Sequence, residues 1–258
     1  MNRLQGKTAV VTGGANKIGR QAAELFLKEG ANVVIVDLFR DSLEEAAGAI
    51  EQFGPIIAVQ ADVSQEEDVQ NYVKKTVRQF GGIDVFFHNA SIEGKKAPLA
   101  EQTAEDFDKV LSVNTRSVFL GLKYVIPVMR KQLSGNIVTL SSAAGFIGSP
   151  DSAPYAASEH AVAGLVKTAA LETAAAGIHV NLIFASPSTG NAKIMSFLEE
   201  GVNSLHSIEG MEAAAKSTPA GRFGKSEEIA KLVLGLALND SSSIIESPYS
   251  GDESMTAH

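Results

Sequence analysis

Three side chains in the second half of the chain are of types that can move a proton to or from an alcohol or a carbonyl. Ser142 precedes Tyr155 by thirteen residues, and Glu159 follows Tyr155 by four, which places it on the same face of a helical run. A serine hydroxyl can hydrogen-bond a carbonyl oxygen while a phenol gives or takes the proton. A phenol titrates near about 10, so it serves as a base around neutrality only beside a cation. The neighbour here carries the opposite sign.

A second set of residues has the pattern of a nucleotide cradle. The apolar run Thr8 to Thr12 leads directly into TGGANKIG, so Thr12, Gly13, Gly14 and Gly19 fall at a strand-to-helix turn. Glycines there let backbone amides approach a pyrophosphate, and the start of a helix adds partial positive charge. The next strand-like run ends in Asp37, near the distance expected for a carboxylate that accepts from ribose hydroxyls and repels a 2′-phosphate.

The elements that must position these groups alternate along the chain. Runs from Thr8 to Thr12, Asn32 to Asp37, Ile56 to Ala61, Ile83 to Asn89, Asn136 to Ser141 and His179 to Phe184 are predicted strands. Their near-continuous apolar character suits strands covered on both faces. Helices are predicted from about Gly19 to Gly30, Ser42 to Phe53, Gln65 to Phe80, Ala104 to Gln132, Tyr155 to Ala176 and Gly224 to Leu238. Asp41 or Ser42 with Glu44 or Glu45 is expected to cap the second helix, and Ser64 with Glu67 the third. Gly30, Gly54 and Gly81 are expected stops. Strict alternation predicts one α/β domain over residues 1–258, a Rossmann-type doubly wound parallel sheet. The looser segment 186–219 is expected to cover the substrate, and the tail from Ser243 to His258 to supply a last edge strand.

Composition excludes several classes. With 258 residues and 45% hydrophobic content, the chain can bury one substantial core. A net charge of −8 and a pI near 5.2 disfavour nucleic acid or an anionic membrane as partner. The absence of cysteine removes disulfides and thiolate chemistry, and the five histidines lack ligand-like spacing, so no metal is expected. No secretory leader pattern and no run of about 18 apolar residues is found, which makes the cytoplasm the expected location.

Across nearly its whole length the chain resembles the short-chain dehydrogenase/reductase family. The resemblance rests on TGGANKIG, Asp62-Val63 after the third strand, His88-Asn89-Ala90-Ser91 after the fourth, Asn114, and Ser142 with Tyr155, in the family's order and spacing. It implies a nicotinamide cofactor bound by Gly13, Asn16, Lys17, Ile18, Gly19, Asp37, Asp62, Val63, Asn89, Ala90 and Tyr155. It also implies that Ser142 bonds a substrate carbonyl or alcohol, that Tyr155 carries the proton and that Asn114 holds a relay water. In the family the helices matching Ala104 to Gln132 and Tyr155 to Ala176 form a four-helix interface, so a homodimer or homotetramer is expected.

The departures from the family pattern are as informative. Lys17 replaces the middle glycine of the turn, resembling pteridine-reductase-like relatives that use a basic residue there on the cofactor. Lys17 would attract a 2′-phosphate and Asp37 would repel it; NAD is expected over NADP. Glu159 stands in place of the lysine that contacts the nicotinamide ribose and lowers the tyrosine's pKa. Two unit charges ~4 Å apart at an effective dielectric near 20 interact by roughly 4 kcal/mol, enough to oppose formation of the phenolate. Ala185-Ser186 replaces a Pro-Gly pair, and Glu246 and Asp252-Glu253-Ser254 fall where glycines are usual. The expectation is therefore an oxidoreductase for a ketone or secondary alcohol, impaired or retuned by Glu159. The alternatives are a non-redox enzyme or a catalytically silent subunit on the same scaffold.

Overall fold

The computed structural model describes residues 2–185, 222, 224–238 and 248–251. Its strands are β1 (Thr8–Thr12), β2 (Asn32–Asp37), β3 (Ile56–Gln60), β4 (Val85–His88), β5 (Gly135–Ser142), β6 (Ile178–Ala185) and β7 (Pro248–Gly251). They form one sheet in the order β3-β2-β1-β4-β5-β6-β7, and every neighbouring pair is parallel. The chain thus winds outward in one direction from β1 and in the other from β4. A crevice opens beyond the C-terminal ends of these two central strands, where such sheets bind ligands. The tail does add an edge strand, β7, paired with β6.

The helices are α1 (Lys17–Lys28), α2 (Arg40–Ile50), α3 (Glu66–Phe80), α4 (Ala104–Leu111), α5 (Ser117–Gln132), α6 (Ala153–Thr173) and α7 (Ser226–Ala237). Adjacent strand residues feed opposite cores, as the two-residue period of a strand requires. Val11, Ile35 and Phe87 pack with Ala22 and Phe26 of α1 and Val233 of α7. Val10, Val34 and Phe86 pack with Val69 and Tyr72 of α3, Val125 of α5 and Val162 of α6.

One expectation is refined and two are corrected. The stretch Ala104 to Gln132 is helical from end to end as expected, but a wide π-type turn at Ser112–Arg116 divides it into α4 and α5. Within it Asn114 is buried and its side chain bonds residues outside the helix. Neither Asp41 nor Ser42 caps α2: the chain turns into helix right after Leu38, Phe39 is the capping position, and no side chain bonds there. Asp41 instead sits in the first turn, where a negative charge suits the helix dipole. Ser64 does not cap α3 either, since its N–H and hydroxyl both donate to Asp62 Oδ1 (2.9 and 2.7 Å). Gly81 ends α3 in the left-handed conformation, φ +85°, as expected of a stop. The expected covering segment 186–219, with Ser186, Glu246 and Asp252-Glu253-Ser254, lies outside the described residues.

Helix α5 lies close to β4 because Gly121 faces the sheet. A Cβ at Gly121 would stand 2.8 Å from the Phe86 ring, whereas one at the exposed Gly48 of α2 would meet nothing within 4 Å. Alanine normally gains about 1 kcal/mol over glycine within a helix. Overpacking a core typically costs about 1–3 kcal/mol. We therefore expect opposite signs: Gly48→Ala raises the urea midpoint, and Gly121→Ala lowers it by a net loss of up to about 2 kcal/mol.

Candidate active site at the sheet's C-terminal edge

The glycine turn is shaped by what presses against it. Gly13 has φ +62°, and a Cβ there would lie 2.9 Å from Asn89 Nδ2 and 3.0 Å from Ala90 Cα. A Cβ on Gly14 would come within 2.6 Å of Ile35 Cβ, and one on Gly19 would collide with the Gly13 carbonyl. From the end of β4, Asn89 Nδ2 donates toward Thr12 O (3.1 Å), Gly13 O (3.0 Å) and Asn16 Oδ1 (3.1 Å). Asn16 caps α1 by accepting from Gly19 N at 2.8 Å. The Asn89 and Ala90 N–H groups both reach Thr12 Oγ1.

This bracing leaves donors pointing outward. Gly14, Ala15, Asn16, Gly19 and Arg20 all spend their N–H groups inside the protein, but among the described residues those of Lys17 and Ile18 bond nothing. Unpaired N–H groups at the start of a helix fit a pyrophosphate. Asp37 closes the other side: its Oδ2 accepts from Ala15 N (3.0 Å) and its Oδ1 from Leu38 N (2.8 Å). Each oxygen keeps capacity for a ribose hydroxyl. The Lys17 side chain is exposed beside the turn. Asp62 holds Ser64, and Val63 is buried next to it. These residues fit a dinucleotide, with Asp37 at the ribose end and the α1 amides at the phosphates.

The candidate proton-transfer group is built from β5 and α6. Ser142 ends β5, and its Oγ accepts from Ala144 N at 3.2 Å. Tyr155 lies in the first turn of α6, with the Ser142 side chain near enough to act on its phenol. Burial pushes the Tyr155 phenol well above its ordinary range; the charges of Glu159 and Glu93 push the same way, against the influence of the Ser142 hydroxyl. Glu159 is only 3% exposed. Its Oε2 accepts from Ser141 Oγ at 2.6 Å and from Ser142 N at 3.0 Å. Burial raises Glu159 from 4.5 to about 7, with the Ser141 and Ser142 bonds and His160 opposing. Around neutrality Glu159 is thus partly protonated, and its repulsion of a phenolate is smaller than a full unit charge would give.

Asn114 is placed behind this group. Its Oδ1 accepts from Ile92 N (2.8 Å), while Nδ2 donates to Ile92 O (2.9 Å) and Ser158 Oγ (3.0 Å). Both amide donors and one acceptor site fasten the segment after β4 to α6. His88, deep in the sheet, lies with Nε2 3.0 Å from Ser117 Oγ, and burial lowers its pKa to about 4, so it is neutral. Sequence reasoning missed Ser141, Ser158 and Glu93 as parts of the site. For Ser141 a signal existed in the Ser141-Ser142 doublet, because an extra hydroxyl beside a buried carboxylate gives it a donor.

A crevice at a topological switch point, a glycine turn with unspent amides, an acidic strand end and a hydroxyl–phenol pair together define a dinucleotide-dependent oxidoreductase. Residues 13–249 match the family described as enoyl-(acyl carrier protein) reductase. The chain is 36% identical over 243 residues to levodione reductase of Leifsonia aquatica, covering 93% of this chain and 90% of that one. It superposes on a crystal structure of levodione reductase with a TM-score of 0.93, at 34% identity and 98% coverage of both chains. It is 34% identical, over the whole of both chains, to 2,5-dichloro-2,5-cyclohexadiene-1,4-diol dehydrogenase of Sphingobium indicum. The structure of NAD+-bound xylitol dehydrogenase gives a TM-score of 0.89 at 31% identity, covering 96% of this chain and 98% of that one. The chain belongs to the short-chain dehydrogenase/reductase family and is an NAD(P)-dependent enzyme of that family.

The Glu159 carboxyl makes stability depend on pH. Its folded value near 7 exceeds the ordinary 4.5, so between these values the folded protein retains a proton that the unfolded chain has lost. Stability is complete below the lower value, falls as pH rises through the window and levels off above 7, by about 3 kcal/mol in all. Glu159→Gln offers the same acceptor oxygen without the charge. We expect it to exceed the native protein by about 2–3 kcal/mol at pH 8 and to approach parity at pH 5, read by urea unfolding at both values.

Proposed function

We propose that this chain is an NADH-dependent oxidoreductase that acts on a small ketone or secondary alcohol and favours the reducing direction. The supporting observation is the Ser142–Tyr155 pair, whose phenol is kept protonated by burial and by the nearby Glu159 and Glu93 carboxyls. When bound, the nicotinamide supplies the hydride for a ketone or accepts one from an alcohol. Ser142 holds the substrate oxygen, and Tyr155 delivers its proton to that oxygen as the alkoxide develops. In the oxidising direction the phenol must first lose its proton, which the two carboxyls oppose. Phe146, stacked on Phe184 with ring centroids 3.9 Å apart, and Ile147 expose apolar surface on the segment that follows Ser142, which suits a compact uncharged substrate. Levodione reductase and the cyclohexadiene-diol dehydrogenase are named for substrates of that kind.

For the cofactor, the Asp37 carboxylate at the end of β2 disfavours a 2′-phosphate more than an exposed Lys17 favours it. Asn114 holds a water of the proton relay while its side chain braces the site, and segment 186–219 covers the substrate. Glu159 in the lysine position also supports a second reading, a silent subunit or a non-redox enzyme on the same scaffold. A titration with NADH and NADPH, followed by a ketone panel read at the absorbance of the reduced cofactor, separates these readings. Expected are tighter NADH binding, a gap narrowed by Asp37→Ala, ketone turnover, and a loss of about 100-fold or more in Tyr155→Phe. Binding without turnover would transfer the case to the silent subunit, and no binding to the non-redox enzyme.

The same reading includes self-association in the cytoplasm. Phe107 on α4, Phe119 on α5 and Leu171 on α6 are exposed apolar side chains on the helices expected to pair. Among the described residues no helix is long and apolar enough to cross a membrane. Light scattering at micromolar concentration is expected to give at least twice the chain mass of 27.1 kDa, and the monomer mass would refute the dimer.

A further inference from the structure

We propose that Ser141 and Glu159 form a clamp that sets the position of Ser142, so that Glu159 is a positioning residue and not the acid or base of the reaction. One carboxylate oxygen, Oε2, takes both bonds: the Ser141 hydroxyl at 2.6 Å and the Ser142 N–H at 3.0 Å. It thereby ties the middle of the first half of α6 to the last two residues of β5, across seventeen and eighteen residues of chain. Tyr155 sits one turn before Glu159 on α6, so the same tie fixes the spacing between the phenol and the Ser142 hydroxyl.

The turn beyond β5 is packed hard against this clamp. A Cβ at Gly145 would stand 3.2 Å from Ser141 Oγ, 3.2 Å from the Glu159 carbonyl and 2.9 Å from the Phe184 ring. The tight fit holds the Ser141 hydroxyl on the carboxylate, and Ala144 N then fixes Ser142 Oγ by donating to it at 3.2 Å. A lysine at 159 could not make this clamp: the Ser141 hydroxyl can turn to accept from an ammonium group, but the Ser142 N–H is a donor only and would lose its acceptor. The substitution that removes a cation from the phenol's surroundings therefore also adds an acceptor that β5 uses. Tyr155 and His160 on α6 are the titratable neighbours of the carboxyl. Glu93, on the segment after β4, acts on the same phenol, and β5 brings only the two serines.

The kinetic part of the test rests on the proposed reductase reading; the spectroscopic part does not. In protein labelled with carboxyl-13C glutamate, the resonance lost in Glu159→Gln reports this group. The native group is expected to titrate near 7 and to move up by about half a unit or more in Ser141→Ala, since loss of a donor destabilises the carboxylate. In ketone reduction, Ser141→Ala and Glu159→Ala should each lower kcat about tenfold, equivalent to ~1.4 kcal/mol, with the KM for NADH unchanged. Glu159→Gln, whose amide oxygen accepts the same two bonds, should recover kcat to within about threefold of native. A carboxyl that titrates near its ordinary value and ignores Ser141→Ala overturns the clamp, as does a Gln variant as slow as the Ala one. If Glu159→Ala fails to fold, Ser141→Ala carries the comparison. A native protein inactive on every ketone would refute the reductase reading, while the carboxyl titration would still decide the clamp.

Discussion

The site depends on one side-chain amide, that of Asn89. From the end of β4 it reaches across the crevice to Thr12, Gly13 and Asn16, which belong to the end of β1 and the start of α1. Parallel strands that lead into helices on opposite faces diverge at their ends, and nothing in the sheet ladder holds those ends together. Asn89 supplies that link. It holds the two carbonyls of the turn and the Asn16 cap, and the N–H groups left unspent are those of Lys17 and Ile18 at the start of α1. The glycines follow from the same contact, since Asn89 Nδ2 occupies the space in which a Cβ on Gly13 or Gly19 would sit.

Glu159 shows how one sign change is absorbed by its surroundings. An isolated carboxylate in this position would carry a large desolvation cost. Two donors and a shifted proton equilibrium reduce it, leaving a group that is neutral in acid and charged in mild alkali. The phenol beside it is then biased toward keeping its proton. The protonation state of the phenol is in this way biased by a neighbour on the same helix.

The sequence made the sheet readable almost to the residue. Thr8–Thr12 and Asn32–Asp37 were marked by apolar runs bounded by turn residues, and such runs have few alternatives in an α/β chain. The nucleotide turn and the Ser142–Tyr155 spacing were legible for the same reason, being local patterns. What local patterns missed was competition from distant partners. Ser64 had the composition of a cap, but Asp62 offered its hydroxyl and N–H a nearer acceptor. Glu159 declared its charge in the sequence, while its orientation depended on two donors from a strand seventeen residues away. The run from Ala104 to Gln132 read correctly as helical, but the π-type turn within it was hidden because Asn114 and Ser117, which make bonds there, are polar residues that helices tolerate.

That interruption has a consequence for the angular phase of the two helices it joins. A π-type turn adds one residue to a helical repeat, and each residue of an α-helix advances about 100°. Helix α4 therefore enters the wide turn with one set of side chains facing α6, and α5 leaves it with its faces rotated by a quarter turn or more. The π-turn acts as a phase shifter: it lets Asn114 lock the segment after β4 while Gly121 faces Phe86 and Phe119 turns outward. Deleting a single residue between Ser112 and Arg116 would restore a continuous ladder and bring the two faces into register with each other, and so out of register with the sheet.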